Sequence, residues 1–373
     1  MRIEINKLHK DEFTENYGIN VLNEENHLVS TARMGLLNSV FSGKHIKAMT
    51  IGGVATEPEY RRKGLVRKIL DLAFKEAVDK GACVSFLHPF SFAYYRKFGY
   101  EKVADQLIVE FPIDGLKHIP RCSDFHLLKG MDRINDVINI YNEFSLKRNI
   151  MFYRYNERYF FIEPNKNRGS TYIWYDENGK PASYISLAVE NYYHVNHMRS
   201  IYLNVYEMAF TSKESLLALF GFIRMYEGEN DTVKIHNCAM SPEIDLILRQ
   251  YIRTTYQPYP DLMARILDVK AILEANSYPL DKGHFRVNLM DTLEHTKGVW
   301  EVEIDNGKGH AKLVNTDKYD ITLPMPAFSQ IVYGYDTYTP ELVSFMEGVT
   351  IENTKSDFFK SFPKRNNGLF EHF

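Results

Sequence analysis

A cluster of cationic residues stands directly before a glycine and an amphipathic stretch in the first third of the chain. Arg61, Arg62 and Lys63 are followed by Gly64, and apolar residues then recur at helical spacing. The start of a helix exposes backbone N–H groups and the positive end of the helix dipole, which together attract anions. Three cations there are unfavourable unless an anion is bound. The pattern therefore predicts a phosphate-binding loop, with a solvated basic loop as the alternative.

A strand before the loop and a helix after it must position these residues. We predict the strand over His45–Thr56 and the helix over Leu65–Lys80, with Gly81 as its stop. Gly64 lets a ligand approach the backbone closely, because glycine has no side chain. The loop is neither a GxxxxGK[ST] nor a GxGxxG motif. The helix is indicated by apolar residues that share one face, namely Val66, Ile69, Leu70, Ala73 and Ala77.

A second motif follows on a predicted short helix, Phe90–Phe98, between the predicted strands Cys83–Leu87 and Tyr100–Phe111. The motif is the segment Tyr95–Tyr100, YRKFGY. It resembles the Y-x-x-F/L-G-F/Y segment of the GNAT superfamily of N-acetyltransferases. The earlier loop, RRKGLV at 61–66, resembles the R/Q-x-x-G-x-G/A pyrophosphate loop of the same superfamily, with a valine in place of the small last residue. Two motifs in this order are much more specific than either alone.

The resemblance extends over nearly the whole chain. A GNAT domain, a second GNAT-like domain without the CoA loop and a small sterol-carrier-protein-like domain form the layout of the Eis (enhanced intracellular survival) family. Leu262–Val269 resembles the segment that leads into the third domain of that family, and the chain ends with Phe373. The implied fold is α/β and α+β, with tandem GNAT-like domains of mixed central sheets flanked by helices, then a small α+β domain. The expected limits are 1–116, 117–266 and 267–373.

The resemblance implies an acetyl-CoA-dependent N-acetyltransferase that acts on primary amines, such as aminoglycoside-like polyamines or lysine side chains. Carried over from the Eis family, Tyr95 is the acid that protonates the departing CoA thiolate, and the C-terminal carboxylate of Phe373 is the base. Both could instead be core residues. The oxyanion needs a backbone N–H, which the strand end near Val54 can offer. The expected acetyl-CoA-binding residues are Val54, Ala55, Thr56, Arg61, Arg62, Lys63, Gly64 and Val66.

Composition excludes several other classes of protein. The 373 residues are 45% hydrophobic and 25% charged, with a formal net charge of -3, which argues against a general nucleic-acid binder. Cys83, Cys122 and Cys238 form no CxxC pair and no histidine stands at metal-ligand spacing, so we expect neither disulfides nor a metal. The first residues are charged throughout, and nowhere do about 18 apolar residues run together. We therefore expect a cytoplasmic protein without a membrane span.

The middle third repeats the element order of the first. A strand is predicted over Ile201–Phe210, then a helix opened by a capping box of Thr211 and Glu214, then a strand over Thr232–Cys238. The loop before this helix reads TSKES and lacks both the basic cluster and the glycine. We therefore expect the same architecture here without the binding site.

Prolines and turn residues mark the remaining divisions of the chain. Residues 112–122, with two prolines, and Gln257–Pro260 are predicted boundaries. Ser241-Pro242 is predicted to open a further helix. Beyond residue 267, short strands alternate with turns such as Asp305–Gly307, and apolar helical stretches follow. This pattern predicts a small α+β domain.

Two other functions are compatible with the sequence. A GNAT domain normally opens with a strand and two helices that wall the acceptor site, but few residues precede the first predicted strand at Tyr17. A non-catalytic acyl-CoA-binding or sensing protein is therefore one alternative, and a lipid carrier working through residues 268–373 is the other. Family resemblance also implies a homo-oligomer, a hexamer, and the 25 tyrosines and 24 phenylalanines are compatible with apolar subunit interfaces.

Overall fold

The computed structural model describes residues 1–156, 169–193, 199–228, 230–238, 242–248 and 251–373. The chain divides into two compact units. Unit 1 comprises residues 1–104, 260–367 and 372–373, and unit 2 comprises residues 105–259 and 368–371. Unit 1 thus combines most of the first predicted domain with most of the third. The domain limits expected from the sequence stay predictions.

Strands and helices alternate along much of the chain. The strands are β1 Arg2–Lys10, β2 Glu15–Leu22, β3 Leu28–Phe41, β4 Lys44–Thr56, β5 Val84–Leu87, β6 Glu101–Pro112, β7 His126–Leu127, β8 Ser170–Tyr175, β9 Pro181–Tyr193, β10 Arg199–Phe210, β11 Thr232–Cys238, β12 Thr255–Ile266, β13 Lys282–Met290, β14 Gly298–Asp305, β15 Lys308–Val314, β16 Ile321–Pro324 and β17 Thr350–Ile351. The helices are α1 Leu65–Asp79, α2 Phe92–Arg96, α3 Ile134–Ser145, α4 Lys213–Ile223, α5 Pro242–Ile247, α6 Val269–Ala275, α7 Met325–Val332, α8 Pro340–Val343 and α9 Phe358–Ser361. The predicted mixed α/β fold is confirmed, whereas the sterol-carrier-protein-like character of the last segment stays a prediction.

In unit 1, the strands β1-β2-β3-β4-β5 are hydrogen-bonded in that order, and β12 follows β5. Strands β4 and β5 are parallel and are joined through α1, as the sequence predicted. Helix α1 buries Leu65 and Phe74 as well as four of the five predicted apolar residues. Val66 is only half-buried, because it lies at the margin of that face.

Strand β1 was not predicted. It pairs antiparallel with β2, so that Ile3 lies opposite Val21 and Ile5 lies opposite Ile19. Most of its side chains are exposed, and charged residues separate the apolar ones, which hid the alternation typical of a half-buried strand. Residues 1–22 hold strands and no helix, as expected from the short stretch before Tyr17.

Unit 2 is built around the strand order β6-β11-β10-β9-β8-β7. Strands β10 and β11 are parallel and are joined through α4, which repeats the arrangement of β4, α1 and β5 in unit 1. A buried apolar cluster fills this unit; α3 contributes one face to it, whereas α4 is buried on most sides. The repeated element order predicted for the middle third is therefore confirmed.

The capping box of α4 lies one residue later than predicted. The N-cap is Ser212, whose hydroxyl accepts from the Ser215 backbone N–H at 3.2 Å. The Ser215 hydroxyl in turn accepts from the Ser212 N–H at 3.0 Å. Thr211 was the wrong choice, because its hydroxyl donates to the carbonyl of Ala182 instead. The N-cap predicted at Ser241 lies outside the described residues, although a helix does begin at Pro242.

A buried ionic network lies within unit 2. Arg154 is 1% exposed and binds both carboxylate oxygens of Glu207, at 2.7 and 2.9 Å. Its Nε also donates to Glu371 at 2.6 Å, and Glu371 accepts a further hydrogen bond from Tyr141. Arg154 holds the stretch 368–371 in this unit through Glu371, and removing the guanidinium would leave two carboxylates without a counter-ion.

Two proline-containing stretches that the sequence assigned to boundaries lie partly in strands. Strand β6 continues to Pro112, and β12 includes Pro258 and Pro260. Residues 255–260 of β12 are exposed. Proline is tolerated in such a position, because its missing N–H leaves no buried acceptor unsatisfied.

The last segment of unit 1 has the strand order β15-β14-β13-β16-β17, with β13 and β16 parallel. Asn306 and Gly307 form the predicted turn between β14 and β15, and both have positive φ angles, +49° and +71°. Asn-Gly is a preferred pair for a two-residue hairpin turn of this kind. The predicted α+β character of this segment is confirmed, and its apolar helical stretches correspond to α7 and α8.

Gly99, the glycine of the second motif, leaves room for a buried ion pair. Its φ is +86°, and an added Cβ would overlap Nη1 of Arg265. Arg265 is fully buried and binds both oxygens of Asp291, at 2.8 Å each. It also donates to the carbonyl of Phe98. Glycine at position 99 is therefore required for space as well as for its backbone conformation.

We predict that Gly99→Ala destabilises unit 1 much more than Gly81→Ala. Gly81 has a similar φ of +81°, but nothing lies within 4 Å of a Cβ added there. Left-handed strain of about 1–2 kcal/mol is common to both variants, whereas disrupting the buried pair costs about 3–5 kcal/mol more. Thermal unfolding should show a lower first transition for Gly99→Ala. Equal transitions in the two variants would contradict this account of Gly99.

Candidate functional site

Strand β4 carries a bulge near its carboxyl end. Thr31 of β3 lies opposite Ala55, but Arg33 lies opposite Gly52, so β4 has one residue more than β3 over this stretch. Gly53 lies within the irregularity with a φ of +59°, which glycine adopts at little cost. A bulge bends its strand and increases the local twist, and bulges are common beside active sites.

The pairing of β4 with β5 ends next to this bulge, at the last residue of β5. Within the described residues, their parallel pairing ends with Ile51 opposite Leu87. Residues 52–56 of β4 have no β5 residue opposite them, so that edge of the strand is open to an extended ligand. Three of the predicted acetyl-CoA-binding residues lie on this stretch and are exposed or half-buried: Val54, Ala55 and Thr56.

Helix α1 begins without a side-chain cap. Its N-cap is Gly64, with a φ of +74° and a ψ of +14°, and residues 65–68 include no acidic side chain. The backbone N–H groups of this turn therefore have no side-chain acceptor of the usual kind and can bind an anion. A Cβ added at Gly64 would meet nothing within 4 Å. Glycine is thus suited to the left-handed conformation and leaves open space above the helix start.

The three predicted cations directly precede this helix start. Arg61, Arg62 and Lys63 are all exposed. The Arg61 Nε donates to the carbonyl of Thr56 at 3.2 Å, which ties the loop back to the end of β4. Lys63 Nζ lies 4.7 Å from the centroid of the Tyr60 ring. The positive charge is therefore concentrated beside the N-terminus of α1, as the sequence predicted.

Helix α1 contacts the second motif, which includes the end of α2. Arg67 donates to the carbonyl of Lys97 at 3.3 Å, and its guanidinium lies 4.9 Å from the centroid of the Phe98 ring. Helix α2 is capped by Ser91, whose hydroxyl accepts from the Tyr94 N–H. The two motifs recognised in the sequence are thus neighbours in the structure.

Tyr95 lies on α2 in an aromatic cluster. It is 3% exposed, and its ring lies 5.4 Å from that of Phe90, 5.3 Å from that of Tyr94 and 6.1 Å from that of Tyr100, between centroids. Burial raises the pKa of Tyr95 to about 12, and the neighbouring Tyr94 adds to the shift. The hydroxyl of Tyr95 is therefore protonated at neutral pH, the state that a general acid requires.

The C-terminal carboxyl group lies against β4. A Cβ added at Gly52 would lie 2.9 Å from the Phe373 carbonyl oxygen and 3.0 Å from its carbon, so only glycine allows this approach. The Phe373 ring lies 4.8 Å from the His88 ring, between centroids. The terminal carboxylate is thus found where the pairing of β4 with β5 ends, next to the stretch of β4 that is open to a ligand.

Sequence reasoning missed three residues around the terminus. His88 directly follows β5, and its Nδ1 lies 3.0 Å from Oδ1 of Asp261 on β12. The His372 ring lies 4.8 Å from the His88 ring, between centroids. No motif in the sequence pointed to Asp261, His372 or Gly52. Their proximity depends on strand pairing across the fold, which no short motif records.

Comparison with known protein families identifies the first part of the chain. Residues 4–103 match the family model described as an acetyltransferase (GNAT) domain. Residues 4–103 are a GNAT acetyltransferase domain. The match includes the β4 opening, the loop at 61–64 and Tyr95, and it confirms the predicted enzyme class, a GNAT-type acyltransferase. No curated protein sequence matches the chain.

Solved structures of similar fold cover almost the whole chain. A GCN5-related N-acetyltransferase from Anabaena variabilis is 18% identical with a TM-score of 0.81, over 96% of this chain and 89% of that one. A conserved Enterococcus faecalis protein of unknown function, a probable N-acyltransferase, is 20% identical with a TM-score of 0.79, over 97% of this chain and 90% of that one. Eis1 from Mycobacterium abscessus is 14% identical with a TM-score of 0.77, over 95% and 90%. At these identities the likeness shows a shared fold that extends beyond the GNAT domain.

None of the helices in the described ranges combines the length and the apolar character that crossing a bilayer requires. The cytoplasmic location and the hexamer expected from the sequence stay predictions.

We predict that neutralising the basic loop weakens CoA binding. Hydrogen bonds to charged groups contribute about 1.5–3 kcal/mol each, which is roughly 10- to 150-fold in affinity. Titration calorimetry with CoA should therefore show at least about a tenfold loss for the variant Arg61→Gln/Arg62→Gln/Lys63→Gln. Lys75→Gln is the matched control, because it removes an exposed cation from the same helix away from its N-terminus. An unchanged affinity in the triple variant would show that the loop is merely solvated.

Proposed function

We propose that the protein transfers an acetyl group from acetyl-CoA to a primary amine, and that its own C-terminal carboxylate is the base. The main observation that supports this proposal is the approach of the Phe373 carboxyl group to Gly52, next to the point where the pairing of β4 with β5 ends. A chain end is usually mobile. A carboxylate that reaches a bulged strand of a GNAT domain, at a glycine with no side chain to exclude it, fits a role in the reaction.

Acetyl-CoA binding uses two parts of the GNAT domain. The open edge of β4 at Val54, Ala55 and Thr56 pairs with the amides of the pantetheine arm, in the manner of a neighbouring strand. The N–H groups at the start of α1 bind the pyrophosphate together with the loop and first-turn residues Arg61, Arg62, Lys63, Gly64 and Val66. The end of the pairing between β4 and β5 and the uncapped helix start support this arrangement.

The reaction requires a general base, a hydrogen-bond donor for the oxyanion and a general acid. An amine resembling lysine has a pKa of about 10.4, so a base must accept a proton as the nitrogen attacks the thioester carbon. The Phe373 carboxylate performs this task, directly or through a water molecule. The tetrahedral oxyanion accepts a hydrogen bond from a backbone N–H near Val54. Collapse of this intermediate breaks the C–S bond, and Tyr95 protonates the thiolate, which yields the N-acetyl amine and free CoA.

The acceptor class rests on similarity to the Eis family. Aminoglycoside-like polyamines and lysine side chains are the acceptors that this resemblance suggests. The shared fold with Eis1 from Mycobacterium abscessus supports the proposal, and residue-level specificity is left to experiment. A panel of both amine types therefore belongs in the first assay.

The first test measures acetyl-CoA consumption with the amine panel in wild type and in a variant with one glycine added after Phe373. General acid–base groups contribute about 10²–10⁴-fold to rate, so the extension should lower kcat by at least about 100-fold while CoA binding is retained. Gly52→Ala should act in the same direction, because its Cβ would crowd the terminal carboxyl group. Gly18→Ala is the control, since a Cβ there meets only ordinary contacts at 3.7 Å.

Each outcome of that test is decisive. Turnover that the added glycine leaves unchanged would keep the acetyltransferase and exclude Phe373 as the base. Absence of turnover with every amine, together with normal CoA binding, would contradict the proposal and favour an acyl-CoA-sensing protein.

We predict that Tyr95→Phe lowers kcat by about 100-fold without a matching loss of CoA affinity. Tyr94→Phe is the control, because Tyr94 is a half-buried neighbour on the same helix. Burial raises the pKa of Tyr95 to about 12, so this tyrosine keeps its proton up to a pH of about 10. The wild-type kcat should therefore not fall between pH 8 and about 10, whereas a tyrosine with the ordinary pKa near 10 would begin to lose its proton in that range. Unchanged turnover in Tyr95→Phe would exclude it as the acid.

A further inference from the structure

Three potential metal ligands converge beside the C-terminal carboxylate in unit 1. His88, Asp261 and His372 each offer one ligand atom, and these atoms all lie within 4.8 Å of one another. They come from the end of β5, from β12 and from the penultimate position of the chain. The sequence predicted no metal, because these residues are far apart along the chain. The fold nevertheless brings together two imidazoles and a carboxylate.

The geometry suits a metal ion. The side chains of His88 and Asp261 are each 18% exposed; His88 directly follows β5, and Asp261 lies on β12, which pairs with β5 through Met263 and Leu87. Nδ1 of His88 and Oδ1 of Asp261 are hydrogen-bonded at 3.0 Å, and a zinc ion about 2.0–2.2 Å from each would replace this hydrogen bond after a small separation of the two atoms. His372 is exposed and terminal, so a small movement can bring its ring to the same ion.

The donor set selects the class of metal. Imidazole nitrogens suit zinc, copper and nickel, whereas magnesium and calcium prefer oxygen ligands. Two histidines and one carboxylate are a ligand set found in zinc sites that keep an open position. From these observations we propose that His88, Asp261 and His372 bind a divalent transition metal of the zinc class.

Metal binding at this place would inhibit acetyl transfer, a consequence that rests on the proposed function. His372 directly precedes Phe373, whose carboxyl group lies against Gly52. A divalent cation held by His372 lies next to the Phe373 carboxylate, attracts it electrostatically and competes with the substrate amine for its oxygen atoms. The same cation repels an approaching ammonium substrate. The metal-free protein is therefore the faster enzyme.

The test for the site measures binding and does not depend on turnover. Chelator-treated full-length protein is titrated with Zn²⁺ by calorimetry and with Co²⁺ by visible absorption, in wild type and in His372→Gln and Asp261→Asn. We expect one ion per chain in wild type and a loss of affinity of about tenfold or more in each variant. His310→Gln, which removes an exposed histidine from β15, should bind like wild type. No stoichiometric binding, or equal affinity in wild type and both variants, would overturn the site.

The test for inhibition compares turnover with and without Zn²⁺ in each protein. Wild type and His310→Gln should lose activity at the concentration that fills the site and regain it with chelator, whereas His372→Gln should be less sensitive. Equal inhibition of His372→Gln and wild type would overturn the inhibitory role. If no amine is acetylated at all, the proposed function fails, and the binding titrations still decide the metal site.

Discussion

The site depends on one break in strand pairing. Strands β4 and β5 pair in parallel as far as Ile51 and Leu87, where β5 ends, and β4 continues through the bulge at Gly53. Parallel neighbours normally satisfy each other's backbone groups. Beyond the end of β5, the edge of β4 has no β5 residue opposite it, and the proposed function uses this edge to bind the cosubstrate. The basic loop, α1 and the C-terminal residue all adjoin this stretch of β4.

Glycines adapt the backbone around this opening for different physical reasons. Gly53 and Gly64 adopt positive φ angles, which shape the bulge and the uncapped start of α1. Gly52 has room for no side chain, because the terminal carboxyl group lies against it. Gly99 leaves space for the buried Arg265, whose charge is compensated by Asp291. Each of these four positions therefore requires glycine for its own physical reason.

Local patterns predicted much of the fold. The apolar face of α1, the strands on either side of it and the basic loop all follow from residue spacing, because these features are encoded within a few residues. The capping box of α4 was misplaced by one residue, since Thr211 and Ser212 are both good capping residues and only tertiary contacts decide between them. Strand β1 was missed because an edge strand with exposed side chains has a weak apolar alternation.

Non-local contacts account for what the sequence did not predict. Phe373 was proposed from family resemblance, and its approach to Gly52 could not be derived from spacing. His88, Asp261 and His372 stand in unrelated stretches of sequence, so a search for ligand spacing finds nothing. Strand pairing and the path of the chain terminus bring them together. Such sites require the three-dimensional structure, even when every ligand type is visible in the sequence.

The most direct test of the central claim is a crystal structure of the full chain with a bisubstrate analogue, in which CoA is joined to an amine through a stable acetyl linker. The account predicts that the linker carbonyl lies between β4 and β5 near Val54, that the pyrophosphate lies at the start of α1, and that the Phe373 carboxylate contacts the amine nitrogen. A linker bound elsewhere, or a Phe373 carboxylate displaced from Gly52 and distant from the nitrogen, would contradict it.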